Sequence, residues 1–87
     1  MSRDAWRPVL AEEVRRWSAR PFDELSAALA DTVVYTVERD GRTYQVEVLA
    51  LERTEDSMHV MLSVDDGSLP LSLLPVCDSF IVNRRRE

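Results

Sequence analysis

Asp40-Gly41 stands between two runs with an apolar residue at every second position, Val33, Tyr35 and Val37 before it and Tyr44, Val46 and Val48 after it. Both central residues of a two-residue type I′ hairpin need positive φ, which Asp-Gly accepts at low cost, so this dipeptide predicts a tight turn and fixes the register of the strands it joins. Pairing outward sets Val37 opposite Tyr44, Tyr35 opposite Val46 and Val33 opposite Val48, all on one sheet face. The other face receives Thr36, Glu38, Thr43, Gln45 and Glu47, the polar surface of a sheet covered on one side.

The alternation continues through Val60, Leu62 and Val64. A four-residue connection near Arg53 to Ser57 would turn these three away from Val48, so either an odd loop such as Glu55-Asp56-Ser57 or a β-bulge is expected there. A second turn signal, Asp66-Gly67, predicts a further hairpin pairing Val64 with Leu69, Leu62 with Leu71 and Val60 with Leu73. Pro70 cannot donate to a ladder, which makes this fourth strand an edge, and Pro75 ends it. Ser79 to Asn83 has the composition of a last short strand whose pairing the pattern leaves open. Leu49 and Leu51 point away from the core in this register, and with Leu71 and Leu73 they form a candidate interaction surface.

Before the strands the period is helical. Trp6, Val9, Leu10, Val14 and Trp17 recur at intervals of three and four, with Glu12, Glu13, Arg15 and Arg16 assigned to the opposite side. Pro21 separates this helix from a second apolar face made by Phe22, Leu25 and Leu29, with Asp23 and Glu24 in its first turn. The expected fold is therefore α+β, an N-terminal helix or helix pair over residues 6–30 packed on one face of a three- to four-stranded antiparallel β-meander over 32–82. Residues 83–87, with Arg84-Arg85-Arg86, read as a flexible basic tail. A chain of 87 residues has room for one core and one domain.

The net charge of −5 opposes tracking of a phosphate backbone, so nucleic-acid binding is not expected. The single Cys77 forms no intramolecular disulfide, no apolar run approaches the length of a membrane span, and the first residues lack a secretory pattern. These features suggest a cytoplasmic protein. All eleven basic residues are Arg, a bias of GC-rich coding sequences that points to a bacterial source.

A metal site or a Cys/His catalytic pair would have to use both His59 and Cys77, the only residues of their kinds, and no third orienting group or oxyanion turn accompanies them. Asp65-Asp66-Gly67 lacks the spaced ligands of a calcium loop, and both Asp-Gly pairs read as plain turns. Glu47, Glu52, Asp65 and Asp78 could supply paired carboxylates, but with sixteen acids in the chain nothing selects a pair. Neither glycine is available for a phosphate loop. No enzyme is expected, and no cofactor.

The aromatic residues Trp6, Trp17, Tyr35 and Tyr44 are candidates for a ligand pocket between helix and sheet, and equally for ordinary packing. The stretches Tyr44 to Val48, His59-Val60, Val64 to Ser68 and Ser79 to Ile81 resemble small uncharacterised bacterial α+β proteins over about half the chain. That resemblance implies a bacterial source and no activity. The leading expectation is a non-catalytic module that binds another protein or itself, one version being a homodimer through the sheet. The alternatives are a small-ligand carrier or sensor, and an enzyme with a site assembled across subunits around His59 and Cys77.

Overall fold

The computed structural model describes residues 5–67 and 76–84. Helices α1 (Trp6–Ser18) and α2 (Phe22–Ala28) precede four strands, β1 (Val33–Arg39), β2 (Arg42–Arg53), β3 (Ser57–Asp65) and β4 (Val76–Asn83). The strands form one antiparallel meander in the order β1-β2-β3-β4, and the two helices pack on one of its faces. The fold is α+β as expected. Among the described residues no helix is long and apolar enough to cross a membrane.

The first hairpin has the expected register: Val37 faces Tyr44, Tyr35 faces Val46 and Val33 faces Val48. Asp40 and Gly41 both take positive φ, 53° and 78°, as a type I′ turn requires. Between β2 and β3 the register shifts between Ala50 and Glu52, leaving Leu51 as the extra residue of a bulge. The bulge, not an odd loop, solves the face problem. The turn itself is even, since the Thr54 N–H donates to the Ser57 carbonyl at 2.8 Å around Glu55-Asp56. Without Leu51 as an extra residue, Val60, Leu62 and Val64 would face away from the helices; with it all three are fully buried.

The third connection departs from expectation. Val64 pairs with Val76, Leu62 with Asp78 and Val60 with Phe80, so the neighbour of β3 is Val76–Asn83 and not Leu69–Leu73. The reason lies in the hydrogen-bond alternation. In a two-residue turn the flanking pair, here Arg39 and Arg42, exchanges backbone bonds, and every second pair away from it does the same. Carried across β2, that alternation directs the backbone of Asp65 toward its partner Gln45. Asp65 then has no backbone groups left to close a two-residue turn with Ser68. Gly67 does take φ +78°, and its N–H is accepted by Asp65 Oδ1 at 2.7 Å, so Asp65 to Gly67 is a local turn and not a hairpin. Leu69, Pro70, Leu71, Leu73 and Pro75 lie outside the described residues.

Asn83 and Arg84, expected in the basic tail, are instead held against the turn between β2 and β3. Asn83 pairs with Ser57, and Arg84 donates from its backbone to Asp56 at 2.6 Å and from Nε to the Glu55 carbonyl at 2.9 Å, stacking over Phe22. Arg85 to Glu87 lie outside the described residues.

The core consists of Trp6, Val9, Leu10, Trp17, Phe22, Leu25 and Leu29 from the helices against Tyr44, Val46, Val48, Met58, Val60, Leu62 and Val64 from the sheet. Val14, Val33, Tyr35 and Val37 are only partly buried at its margin. Arg53, brought to the helix side by the bulge, donates to the Leu29 carbonyl at 2.6 Å and so caps the C-terminal end of α2 from another element.

Candidate functional site

Glu13 is the residue the helical reading misplaces. Assigned to the polar side of α1, it is only 5% exposed. At about 100° per residue it falls between Val9 and Leu10 at the centre of the apolar stripe, while Val14 falls at its margin. A buried carboxyl group needs a partner, and β1 supplies one. The Tyr35 hydroxyl donates to Glu13 Oε1 at 2.5 Å and accepts from Trp17 Nε1 at 2.7 Å, so a three-membered hydrogen-bonded chain joins α1 to β1. The Trp17 and Tyr35 rings lie 6.3 Å apart, and the Arg20 guanidinium covers the indole at 4.2 Å. Burial, and next the hydrogen bond to Glu13, push the Tyr35 hydroxyl up to about 12, which holds it as a donor.

These side chains line an open depression of about 290 Å³ beside Arg16 and Arg20. A neighbouring depression between Val9, Glu12, Val37 and Arg39 continues it along β1. Its charges are largely engaged with one another: Glu12 accepts from Arg16 at 3.0 Å and from Arg39 at 3.2 Å, and Arg16 lies 3.7 Å from the second Glu13 oxygen. Of the four aromatic candidates, only Trp17 and Tyr35 come together here. Trp6 and Tyr44 are each 3% exposed and belong to the core, and the Trp6 Nε1 has no hydrogen-bond partner among the described residues.

The opposite sheet face carries no helix. There Leu49 lies half-buried beside Met61, while Leu51 and Ile81 are 49% and 67% exposed on either side of His59. Of the expected interaction residues, Leu49 and Leu51 therefore share one apolar patch, and Leu71 and Leu73 fall outside the described residues. His59 pairs with Ile81 whereas Cys77 pairs with Ser63. Cys77 and Ile81 are four positions apart in β4, about 13 Å along a strand, so the side chains of His59 and Cys77 do not form a nucleophile and base pair.

The sheet has two edges, and they differ. On β4, Asp78 lies opposite the buried Leu62, on the helix-bearing face between Val76 and Phe80, with its side chain exposed at the rim. A charge on the helix-bearing face of an edge strand, even at the exposed rim, obstructs addition of another strand. On β1, Thr32 to Val37 contains no charge, proline or glycine, and Val34 is 64% exposed. Since Val33, Tyr35, Val37 and Arg39 direct their backbone groups to β2, Val34, Thr36 and Glu38 direct theirs outward. Among the described residues nothing pairs with that side of β1.

Comparison of the chain with protein-family models, with curated proteins and with solved structures returned no match.

Proposed function

We propose that this protein is a non-catalytic interaction module that binds an extended segment of a protein partner along the outer edge of β1. The observation that carries this reading is the contrast between the two edges, one carrying the charge of Asp78 on its helix-bearing face and the other a run of β-branched and aromatic residues with outward N–H and C=O groups. An added strand satisfies those groups and covers Val34, and main-chain bonding of this kind is a general mode of peptide recognition. Leu49, Leu51 and Ile81 lie on the open face too, but Ile81 is on β4, three strands from β1, so they form a surface separate from this edge.

Thr36→Pro tests this directly. The Thr36 N–H points away from β2, so proline there leaves the β1–β2 ladder intact while removing an edge donor. Co-purification with the wild-type chain and with Thr36→Pro as baits should return companions that the variant loses. Companions retained by Thr36→Pro and lost by Leu51→Glu with Ile81→Glu would contradict edge binding and place the contact on the open face.

A small-ligand reading draws on the depression beside Trp17 and Tyr35. It is the weaker of the two, because the polar atoms there already pair within the protein and leave a ligand few groups to bind. Titration of small-molecule libraries monitored by Trp17 fluorescence and melting temperature tests it, and a saturable shift would favour it.

A further inference from the structure

We infer that the segment bound along β1 runs antiparallel to it and carries an acidic side chain opposite Tyr35, held by Arg20, with an apolar side chain two residues earlier opposite Val37. This rests on the edge-binding reading above and names the chemistry of its partner.

Among the described residues, none of β2, β3 or β4 lines the depressions beside Tyr35 and Val37, so both lie along the outer flank of the contact between α1 and β1. A strand added outside β1 borders them. Because the backbone groups of Val34, Thr36 and Glu38 point outward, Tyr35 and Val37 face the added strand as non-hydrogen-bonded pairs, in which opposed Cα atoms stand about 4.5 Å apart and share a face. Two successive helix-side side chains of the added strand, about 7 Å apart, therefore meet one depression each.

The two depressions differ in chemistry. At Val37 the buried Val9 contributes apolar surface, and Glu12 is engaged with Arg16 and Arg39, so the place suits an apolar side chain. At Tyr35 two guanidinium groups, Arg16 and Arg20, stand against one carboxylate, Glu13, in a chain whose net charge is −5. Glu13 is held by the Tyr35 hydroxyl, and Arg16 by Glu12. Arg20 is the exception to this internal pairing. Its guanidinium lies 4.2 Å from the centre of the Trp17 ring, the Glu24 carboxylate stands 3.9 Å away, beyond hydrogen-bonding distance, and the side chain is 39% exposed. The indole positions the guanidinium and leaves its N–H donors for a carboxylate from outside.

The direction follows from the helix. α1 runs antiparallel to β1, since Val9 lies beside Val37 while Trp17 reaches Tyr35, and Arg20 lies beyond Trp17. Antiparallel addition continues the pairing of the whole sheet, so the added segment runs with α1 and its apolar residue precedes its acidic one. The residue after the acidic one then falls opposite Val34 on the open face and covers it.

The probe is a capped synthetic peptide with Val-Thr-Glu-Val between threonine flanks, compared with its counterpart carrying Lys in place of Glu. Binding to the full chain is followed at low salt by NMR titration. The charge of the whole chain favours the lysine peptide, so the sign of the preference separates recognition by Arg20 from the overall field. The glutamate peptide should bind roughly fivefold more tightly. That preference should vanish in Arg20→Gln and reverse in Arg20→Glu, and Thr36→Pro should bind neither peptide. The Arg20 variants alter a partly exposed position and keep the test usable should Thr36→Pro fail to fold.

Equal binding of the two peptides, or a lysine preference, with both lost in Thr36→Pro overturns the inference and leaves the edge-binding reading standing. A glutamate preference unchanged in Arg20→Gln also overturns it. Binding of neither peptide overturns the inference, and the edge-binding reading then stands or falls on whether Thr36→Pro loses companions in co-purification. Binding that survives in folded Thr36→Pro overturns both.

Discussion

Tyr35→Phe removes one oxygen atom and is expected to cost more stability than its size suggests. The hydroxyl both accepts from Trp17 Nε1 and donates to the buried Glu13, so its loss strands a donor and a carboxyl oxygen at once. A buried polar group left without a partner costs about 1–3 kcal/mol, and the open depression admits water to part of this site, which places the sum near 2–3 kcal/mol. For a domain of this length that is a large share of a total of roughly 4–13 kcal/mol, and it lowers Tm by about 10–20 °C. Chemical denaturation of wild type, Tyr35→Phe, Glu13→Leu and the double variant gives the coupling. Replacing both partners by apolar groups removes the stranded carboxyl, so the double variant should lose about 1–2 kcal/mol less than the sum of the single changes. A Tyr35→Phe protein within about 0.5 kcal/mol of wild type, or strictly additive losses, would refute the reasoning, because changes of that size are typical of surface positions.

The same hydroxyl sets a pH dependence. With its pKa raised from 10.0 to about 12 on folding, its contribution is fully present below pH 10, declines as the unfolded chain ionises first, and is gone above about pH 12; Tyr35→Phe should lack that part of the alkaline decline in a denaturation series across this range. Arg53→Met should cost about 1–2 kcal/mol by leaving the Leu29 carbonyl uncapped, read by thermal melting. Leu25→Ala, at a fully buried position of α2, should cost about 2–5 kcal/mol in the same assay. Gly41→Val should destabilise the first hairpin by more than about 1 kcal/mol, because φ +78° excludes a β-branched side chain there, even though nothing lies near the new Cβ.

Legibility in the sequence followed the range of the interaction. The first hairpin was readable because an Asp-Gly turn and two alternating strands specify one register locally. The need for a bulge or an odd loop was also readable, since the faces of Val48 and Val60 conflict without one, and the structure selects Leu51 as the extra residue. The partner of β3 is not legible locally, because Asp66-Gly67 carries the same signal as Asp40-Gly41. What distinguishes them is the alternation of backbone hydrogen bonds inherited from the first turn, which commits Asp65 to Gln45. The charge of Glu13 suggests the polar side of α1, but its spacing from Trp6, Leu10 and Trp17 puts it on the apolar stripe. No sequence signal paired it with Tyr35, since the two are joined only by the packing of α1 against the sheet. The contrast between the edges was hidden for the same reason. Asp78 becomes a charge on the helix-bearing face only once β4 is known to be Val76–Asn83.

The most direct test of the central claim is amide hydrogen exchange along β1, followed residue by residue by NMR. Exchange distinguishes amides bonded within the ladder from those facing outward, and the two kinds alternate in this strand. In a sample with an added strand, Val34, Thr36 and Glu38 should be protected to the same order as Tyr35 and Val37, and in Thr36→Pro the protection of Val34 and Glu38 should disappear while that of Tyr35 and Val37 remains. Rapid exchange at Val34, Thr36 and Glu38 in the wild type at every concentration and with every captured companion would contradict the account, because an edge that never gains a strand is not a binding surface.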